Sequence, residues 1–262
     1  MGYIISVINN KGGCGKSTTT YNLADALSRQ KKKVMIIDMD SQCNTTKIIL
    51  DKAATIKNSL YELLTSKNDI TSLNNFIYPT TCKKVVLIPN VDETASLEPE
   101  LIQQSPDIFF KLRAMFRKEA ENYDFVIIDN PPNMGTFVLI SLYASDFVIV
   151  PIKAGSVFSI DGLLKALKII NEVKENGNSN LIFLRILINC VDKRTAISKT
   201  ISEQLDKTFT KKQIFKTQIP INTAFEKAEL FNQTIFQHNL AAPGARAFRN
   251  LAKELINIIK EY

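Results

Sequence analysis

The sequence holds little of what most catalytic and metal-binding chemistry draws on. Its 262 residues include one histidine, His238, which leaves little room for imidazole acid–base chemistry. Its four cysteines, Cys14, Cys43, Cys82 and Cys190, lie far apart. That spacing suits neither a disulfide framework nor a metal site and suggests reduced thiols in a cytoplasm. No apolar run approaches the roughly 18 residues of a membrane-spanning helix. The N-terminus lacks the basic start and long apolar stretch of a signal peptide. No internal repeat or low-complexity tract stands out.

What is present is an alternation of strand and helix signals. Near-continuous Val/Ile runs occur at 3–8, 33–38, 84–88, 125–129, 146–151 and 181–190, with a weaker run at 213–216. Helical patterns fall at about 17–30, 107–121, 136–144, 160–176, 195–209 and 244–260, with a short helix near 59–65. Strands apolar along their whole length need cover on both faces. The pattern therefore predicts one α/β domain over 1–262, with a doubly wound, mostly parallel sheet. Residues 51–82 are polar and irregular and read as a variable insertion over the ligand.

The net charge of +7 is unevenly spread. Residues 1–150 hold 16 basic and 16 acidic side chains, and residues 151–262 hold 17 and 10. Within 193–216, Lys193, Arg194, Lys199, Lys207, Lys211, Lys212 and Lys216 face only Glu203 and Asp206. By charge alone this fits a polyanion partner or a solvated lysine-rich surface equally well.

The most specific segment is Lys11-Gly12-Gly13-Cys14-Gly15-Lys16-Ser17-Thr18, which follows the first apolar run and opens a helix. A strand, a glycine-rich loop and a helix start together form a phosphate cradle of inward-pointing backbone N–H groups. In such a cradle Lys16 reaches the β- and γ-phosphates and the Ser17 hydroxyl ligates Mg²⁺. The usual loop carries glycine where this chain has Asn10, and a second lysine, Lys11, stands at the loop entrance. Two further runs end in carboxylates, Asp38-Met39-Asp40-Ser41-Gln42 after the second strand and Asp129-Asn130-Pro131-Pro132 after the fourth, and Ile219-Pro220-Ile221-Asn222 lies near the far end. All fall at the carboxyl ends of predicted strands, where open α/β sheets bind ligands.

Together these segments resemble the ParA/MinD family of deviant Walker-A ATPases, from about Ile4 to Ile259. The resemblance implies ATP and Mg²⁺ as cofactors, with the phosphate-loop residues Lys11 to Thr18 holding the nucleotide. It implies that Lys11 reaches the nucleotide of a partner copy in an ATP-bound homodimer, that Asp38 and Asp129 join Ser17 around the metal, and that Asp40 sits near the attacking water. Ser41 stands where the family usually has proline. Cys14 fills a variable loop position, as a small filler rather than a reactive thiol. Asn189, Pro220 and Asn222 align with adenine contacts. Arg194 matches a DNA-contacting arginine of chromosomal relatives. A second such arginine aligns with Ala224, and Lys227 lies one helical turn away. Lys193, Arg194, Lys216 and Lys227 are thus the candidate DNA contacts.

The implied function is DNA segregation. An ATP-bound dimer binds DNA without reading sequence and is released when a ParB-type partner stimulates hydrolysis, which places the protein on the nucleoid in the cytoplasm. No helix-turn-helix domain is expected ahead of a loop that starts at Lys11. A MinD-like membrane-surface ATPase is the alternative. It calls for an extra basic amphipathic helix after the last core helix, and the pattern ends near Tyr262. A metal-cluster reductase of the nitrogenase iron-protein type would need cysteines beside the Asp129 run, where Asn130 stands.

Overall fold

Alternation inside the apolar strands decides the architecture. Ile4, Met35, Ile37, Val126 and Ile128 belong to one buried cluster. Their neighbours Ile5, Val34, Ile36, Phe125 and Ile127 belong to another. Successive side chains of a strand point to opposite faces, so a strand apolar on both sides requires two covering layers. The computed structural model describes residues 2–66, 70–155, 159–192, 194–195, 200, 203–205 and 207–262, and it has that arrangement.

The sheet contains β1 (Tyr3–Val7), β2 (Val34–Asp38), β3 (Tyr78–Pro79), β4 (Val85–Ile88), β5 (Phe125–Asp129), β6 (Phe147–Lys153) and β7 (Ile182–Asn189). Their spatial order is β3-β4-β2-β5-β1-β6-β7. All neighbours are parallel except the pair β3 and β4. The helices are α1 (Lys16–Arg29), α2 (Asn44–Ile49), α3 (Leu60–Thr65), α4 (Glu98–Gln103), α5 (Asp107–Ala120), α6 (Thr136–Ala144), α7 (Ser159–Asn176), α8 (Thr223–Leu230), α9 (Ile235–His238) and α10 (Pro243–Ile259). Leu23 and Leu27 of α1 and Leu251 and Leu255 of α10 cover one face. Phe116 of α5, Ile140 of α6 and Leu163 of α7 cover the other.

Three expectations need correction. The 213–216 run is no strand; Ile214 makes only an isolated bridge to Ile186, and the chain there follows a 3-10 turn at Lys211–Gln213. The edge strand β3 was not foreseen, because it is two residues long and ends in Pro79. Its place at the edge tolerates proline, which has no N–H to give to a ladder. It also makes the Asp129 strand the fifth rather than the fourth. Residues 51–82 do not cover the ligand cavity described below, which takes no described residue from them. They form α3, a 3-10 turn at Asn74–Phe76 and β3 along the sheet edge. Lys193 and seven of the fifteen residues of the predicted 195–209 helix lie outside the described residues; of the others, 200, 203–205 and 207–208 are helical.

The topology sets the chemistry at one end. β5 sits between β1 and β2, so Asp129 is level with Val7 on one side and with Asp38 on the other. The loop after β1, the carboxylate ending β2 and the carboxylate ending β5 therefore meet.

Candidate nucleotide site

Glycine is required at the turn from loop to α1. Gly15 has φ +88°, a conformation L side chains rarely adopt, and a Cβ there would lie 2.6 Å from the Asn189 amide nitrogen. Gly13 also has positive φ, at +71°. The loop is tied from within. Lys11 N–H donates to Asn9 Oδ1 at 3.0 Å, and the Lys11 carbonyl accepts from Lys16 Nζ and from Cys14 Sγ, each at 3.2 Å. Cys14 is buried, and that burial pushes its thiol above the ordinary value. It packs as a filler and is not an activated thiolate.

Above the loop lies a cavity of about 500 Å³. Gly12, Gly13 and the run Gly15 to Thr18 form its floor. Asp40, Gln42, Asn44, Lys47 and Pro132 stand on one side, and Tyr21, Glu229 and Asn232 on the other. Lys11 does not line it, and its backbone anchors the loop.

Behind the floor the two strand-end carboxylates sit side by side and fully buried. Asp129 accepts hydrogen bonds from Thr45 Oγ1 at 2.6 Å and from Thr20 Oγ1 at 3.4 Å, and the nearby Ser17 hydroxyl favours its charged form. Asp38 Oδ2 accepts from the Thr46 N–H at 2.8 Å and the Thr46 hydroxyl at 2.7 Å, while Oδ1 accepts from the Asp40 N–H at 3.2 Å. Burial raises both carboxyls above their ordinary range, and the neighbouring Asp129 charge raises Asp38 further. Two buried carboxylates beside a serine hydroxyl are a hard oxygen donor set. Mg²⁺ is typically held by one or two carboxylates with phosphate oxygens and waters, so the residues present fit that ion.

Asp40 reaches the cavity from the turn after β2. Its Oδ1 accepts from Gln42 N–H at 3.0 Å, and its carbonyl accepts from Cys43 N–H at 2.8 Å. Lys47 Nζ donates to the Gln42 carbonyl at 2.8 Å. These bonds brace the turn without a proline at Ser41. Burial also raises the Asp40 carboxyl.

Of the residues aligned with adenine contacts, none lines this cavity. Asn189 lies beneath the loop, where its amide donates to the Cys14 carbonyl at 2.9 Å and to Thr19 Oγ1 at 3.2 Å. Asn222 caps α8 by accepting from Ala224 N–H at 2.9 Å. Pro220 lines a separate groove beside α10. The wall on that side comes from residues the sequence did not single out. Glu229 of α8 accepts from Tyr21 Oη at 2.8 Å and from Thr18 Oγ1 at 3.0 Å. No local pattern joins positions 211 residues apart. Thr45 and Thr46 were missed too, although they lie three and four residues after Gln42, which ends the Asp-x-Asp-x-Gln run.

The candidate DNA contacts are spread over the C-terminal third. The Arg194 side chain is exposed and forks onto Asp192, with Nε to Oδ1 and Nη2 to Oδ2 both at 2.9 Å. That fork holds the Asp192 carboxyl down at about 2. The loop is bound to the Ile-Pro segment by Val191 N–H to the Ile219 carbonyl at 3.0 Å and Ile221 N–H to the Val191 carbonyl at 3.1 Å. Lys216 and Lys227 are exposed, and Ala224 packs against the second core.

A parallel sheet of this order, a glycine cradle at a helix start and two carboxylates at adjacent strand ends define a P-loop nucleotide-binding protein of the deviant Walker-A type. Residues 2–183 match the family described as AAA domain. The chain is 32% identical over 257 residues to the sporulation initiation inhibitor protein Soj of Bacillus subtilis, covering 97% of this chain and 98% of that protein. It is 30% identical over 256 residues to the chromosome partitioning protein ParA of Myxococcus xanthus, covering 98% and 88%. Among solved structures it resembles a cobyrinic acid a,c-diamide synthase from Mycobacterium smegmatis with bound ADP and magnesium, with a TM-score of 0.83 at 25% identity over 99% of this chain and 96% of that one. The chain belongs to the Soj/ParA family of partitioning ATPases.

Proposed function

We propose that this protein, as a single ATPase domain over 1–262, is an ATP-driven DNA-segregation ATPase. The observation that carries the reading is the pair of buried strand-end carboxylates, Asp129 level with Asp38, behind a glycine-rich loop whose Lys16 and Ser17 line the cavity and whose first residue is Lys11.

Phosphoryl transfer to water needs charge neutralised on the γ-phosphate, a held metal and an oriented water. Lys16, buried at the cavity floor, supplies the first. Ser17, Asp129 and Asp38 would hold Mg²⁺, which would supply neutralisation of the phosphate charge. Asp40, on the braced turn, orients the attacking water. Lys11 completes the site of a second copy, so that ATP bridges two protomers. The ATP-bound dimer then holds DNA through the basic C-terminal region, including Lys193, Arg194, Lys216 and Lys227. Contacts to phosphates position a protein without reading sequence, so binding is insensitive to sequence and weakens steeply with salt. Intrinsic hydrolysis is slow, and a ParB-type partner accelerates it and frees the protein from the nucleoid in the cytoplasm.

The test is binding to a non-cognate duplex with ATP, with ADP and without nucleotide, for wild type and Asp40→Ala. Salt-sensitive binding with ATP alone, prolonged in Asp40→Ala, is the expected result. No binding in any nucleotide state sinks the reading. ATP-dependent co-sedimentation with anionic vesicles in its place would point to a MinD-like membrane role.

A further inference from the structure

We propose that Arg246, with Lys216 and Asn250, forms a seat for the backbone phosphates of duplex DNA. The proposal rests on the DNA-segregation reading and adds to it a groove and an arginine that no motif marked.

The groove, of about 480 Å³, runs between the segment before the Ile-Pro turn and the start of α10. Lys216, Thr217 and Gln218 form one wall. Arg246 and Asn250, one helical turn apart on the same face of α10, form the other. The next residue along that face, Glu254, fixes the two walls together. Its carboxylate accepts from Lys216 N–H at 2.7 Å and Thr217 N–H at 2.9 Å, and Arg185 pairs with it at 3.5 Å. Both side chains of that pair are largely buried. The nearby acid is thereby committed to the scaffold, and the groove presents two cations, Lys216 and Arg246, and two amides, Gln218 and Asn250.

Arg246 has no structural task of its own. It is exposed, and its guanidinium has no hydrogen bond or ion pair among the described residues. It is the fourth residue of α10, the end where a cation opposes the helix dipole, and no acidic residue stands in the first turn to offset it. Arg249, three residues on, differs. It lies over the Phe236 ring at 5.9 Å and donates to the Leu240 carbonyl at 3.2 Å. An arginine placed against the helix dipole, facing a lysine across a rigid groove, has the geometry of a phosphate contact.

The experiment is fluorescence anisotropy of a labelled non-cognate duplex with the full chain in its ATP state, titrated with salt. Arg246→Ala should weaken binding roughly 5- to 10-fold and lower the slope of log affinity against log salt by about one. Arg246→Lys should keep the slope, and Arg249→Ala should leave it unchanged. DNA-free ATP hydrolysis by Arg246→Ala should match wild type, which shows that the variant is folded. If wild type binds DNA and Arg246→Ala binds with the same affinity and slope, the seat is overturned while the segregation reading stands. If wild type binds DNA in no nucleotide state, the segregation reading itself has failed. If anionic vesicles and not DNA show the Arg246 dependence, DNA is the wrong occupant.

Discussion

The two sides of the nucleotide cavity are built in different ways. On the side of the buried carboxylates, the candidate site residues are concentrated in short segments. Lys11 to Thr18, Asp38 to Thr46 and Asp129 to Pro132 each carry several roles, and nearly every polar atom there has a close partner. On the side of α8 and α10, single residues far apart in sequence meet only through folding, as Glu229 does with Thr18 and Tyr21. The first side has to fix charges to within tenths of an ångström for chemistry. In the proposed cycle the second connects the cavity to the surface that carries Lys216, Lys227 and Arg246. Its contacts are fewer and sit closer to solvent.

The largest effect should come from the first side. Lys16→Ala should lower ATP hydrolysis at least about 100-fold, as loss of a group that stabilises developing charge does, measured as phosphate release. A rate within threefold of wild type would remove Lys16 from the mechanism. Next comes Thr45→Val, which takes one hydrogen bond from Asp129 and leaves the proposed metal ligands in place. Loss of such an outer partner commonly costs about 10- to 100-fold in metal affinity, read here as the Mg²⁺ concentration needed for half-maximal hydrolysis. An unchanged Mg²⁺ requirement would mean that Thr45 only fills space.

The buried carboxylate pair also sets a dependence on pH. Both folded-state values lie above the unfolded ones. The folded chain then binds more protons than the unfolded one, so metal-free stability should fall as pH rises above the ordinary carboxylate range. Asp129→Asn removes one charge of the pair and should flatten that fall, while abolishing the stabilisation by Mg²⁺ with ATP. Thermal melts across pH, with and without Mg²⁺ and ATP, read both. A metal-free wild type that grows more stable toward neutral pH would contradict the burial of two adjacent acids.

The smallest effect belongs to the second side. Tyr21→Phe removes the buried hydroxyl that donates to Glu229 and should destabilise the fold by about 1–2 kcal/mol, with hydrolysis nearly retained. A drop in hydrolysis as large as that of Lys16→Ala would show that this wall takes part in chemistry, and the distinction between the sides would collapse.

The same contrast explains what the sequence made legible. Strands and their order of use could be read because β1, β2 and β5 are apolar on both faces and end in function-bearing residues. The loop was legible because its glycines are demanded by backbone geometry at Gly13 and Gly15. The brace around Asp40 could not be read, since a Ser41 turn held by Asp40 Oδ1 and Lys47 Nζ leaves no motif. Nor could Glu229 or Arg246, whose roles depend on which helices become neighbours. Asn189 was singled out for the adenine, and the structure places it under Gly15, where its amide props the loop.

The central claim is that each site is completed by a lysine from a second copy. It is tested most directly by mixing two variants, Lys11→Ala and Asp40→Ala, each with little activity alone. In a mixed dimer the Lys11→Ala copy keeps its own Asp40 and receives Lys11 from the other. If Lys11 acts in trans, equal mixing should restore about a quarter of the wild-type rate. A mixture no more active than the separate variants would contradict the claim and confine Lys11 to its own loop.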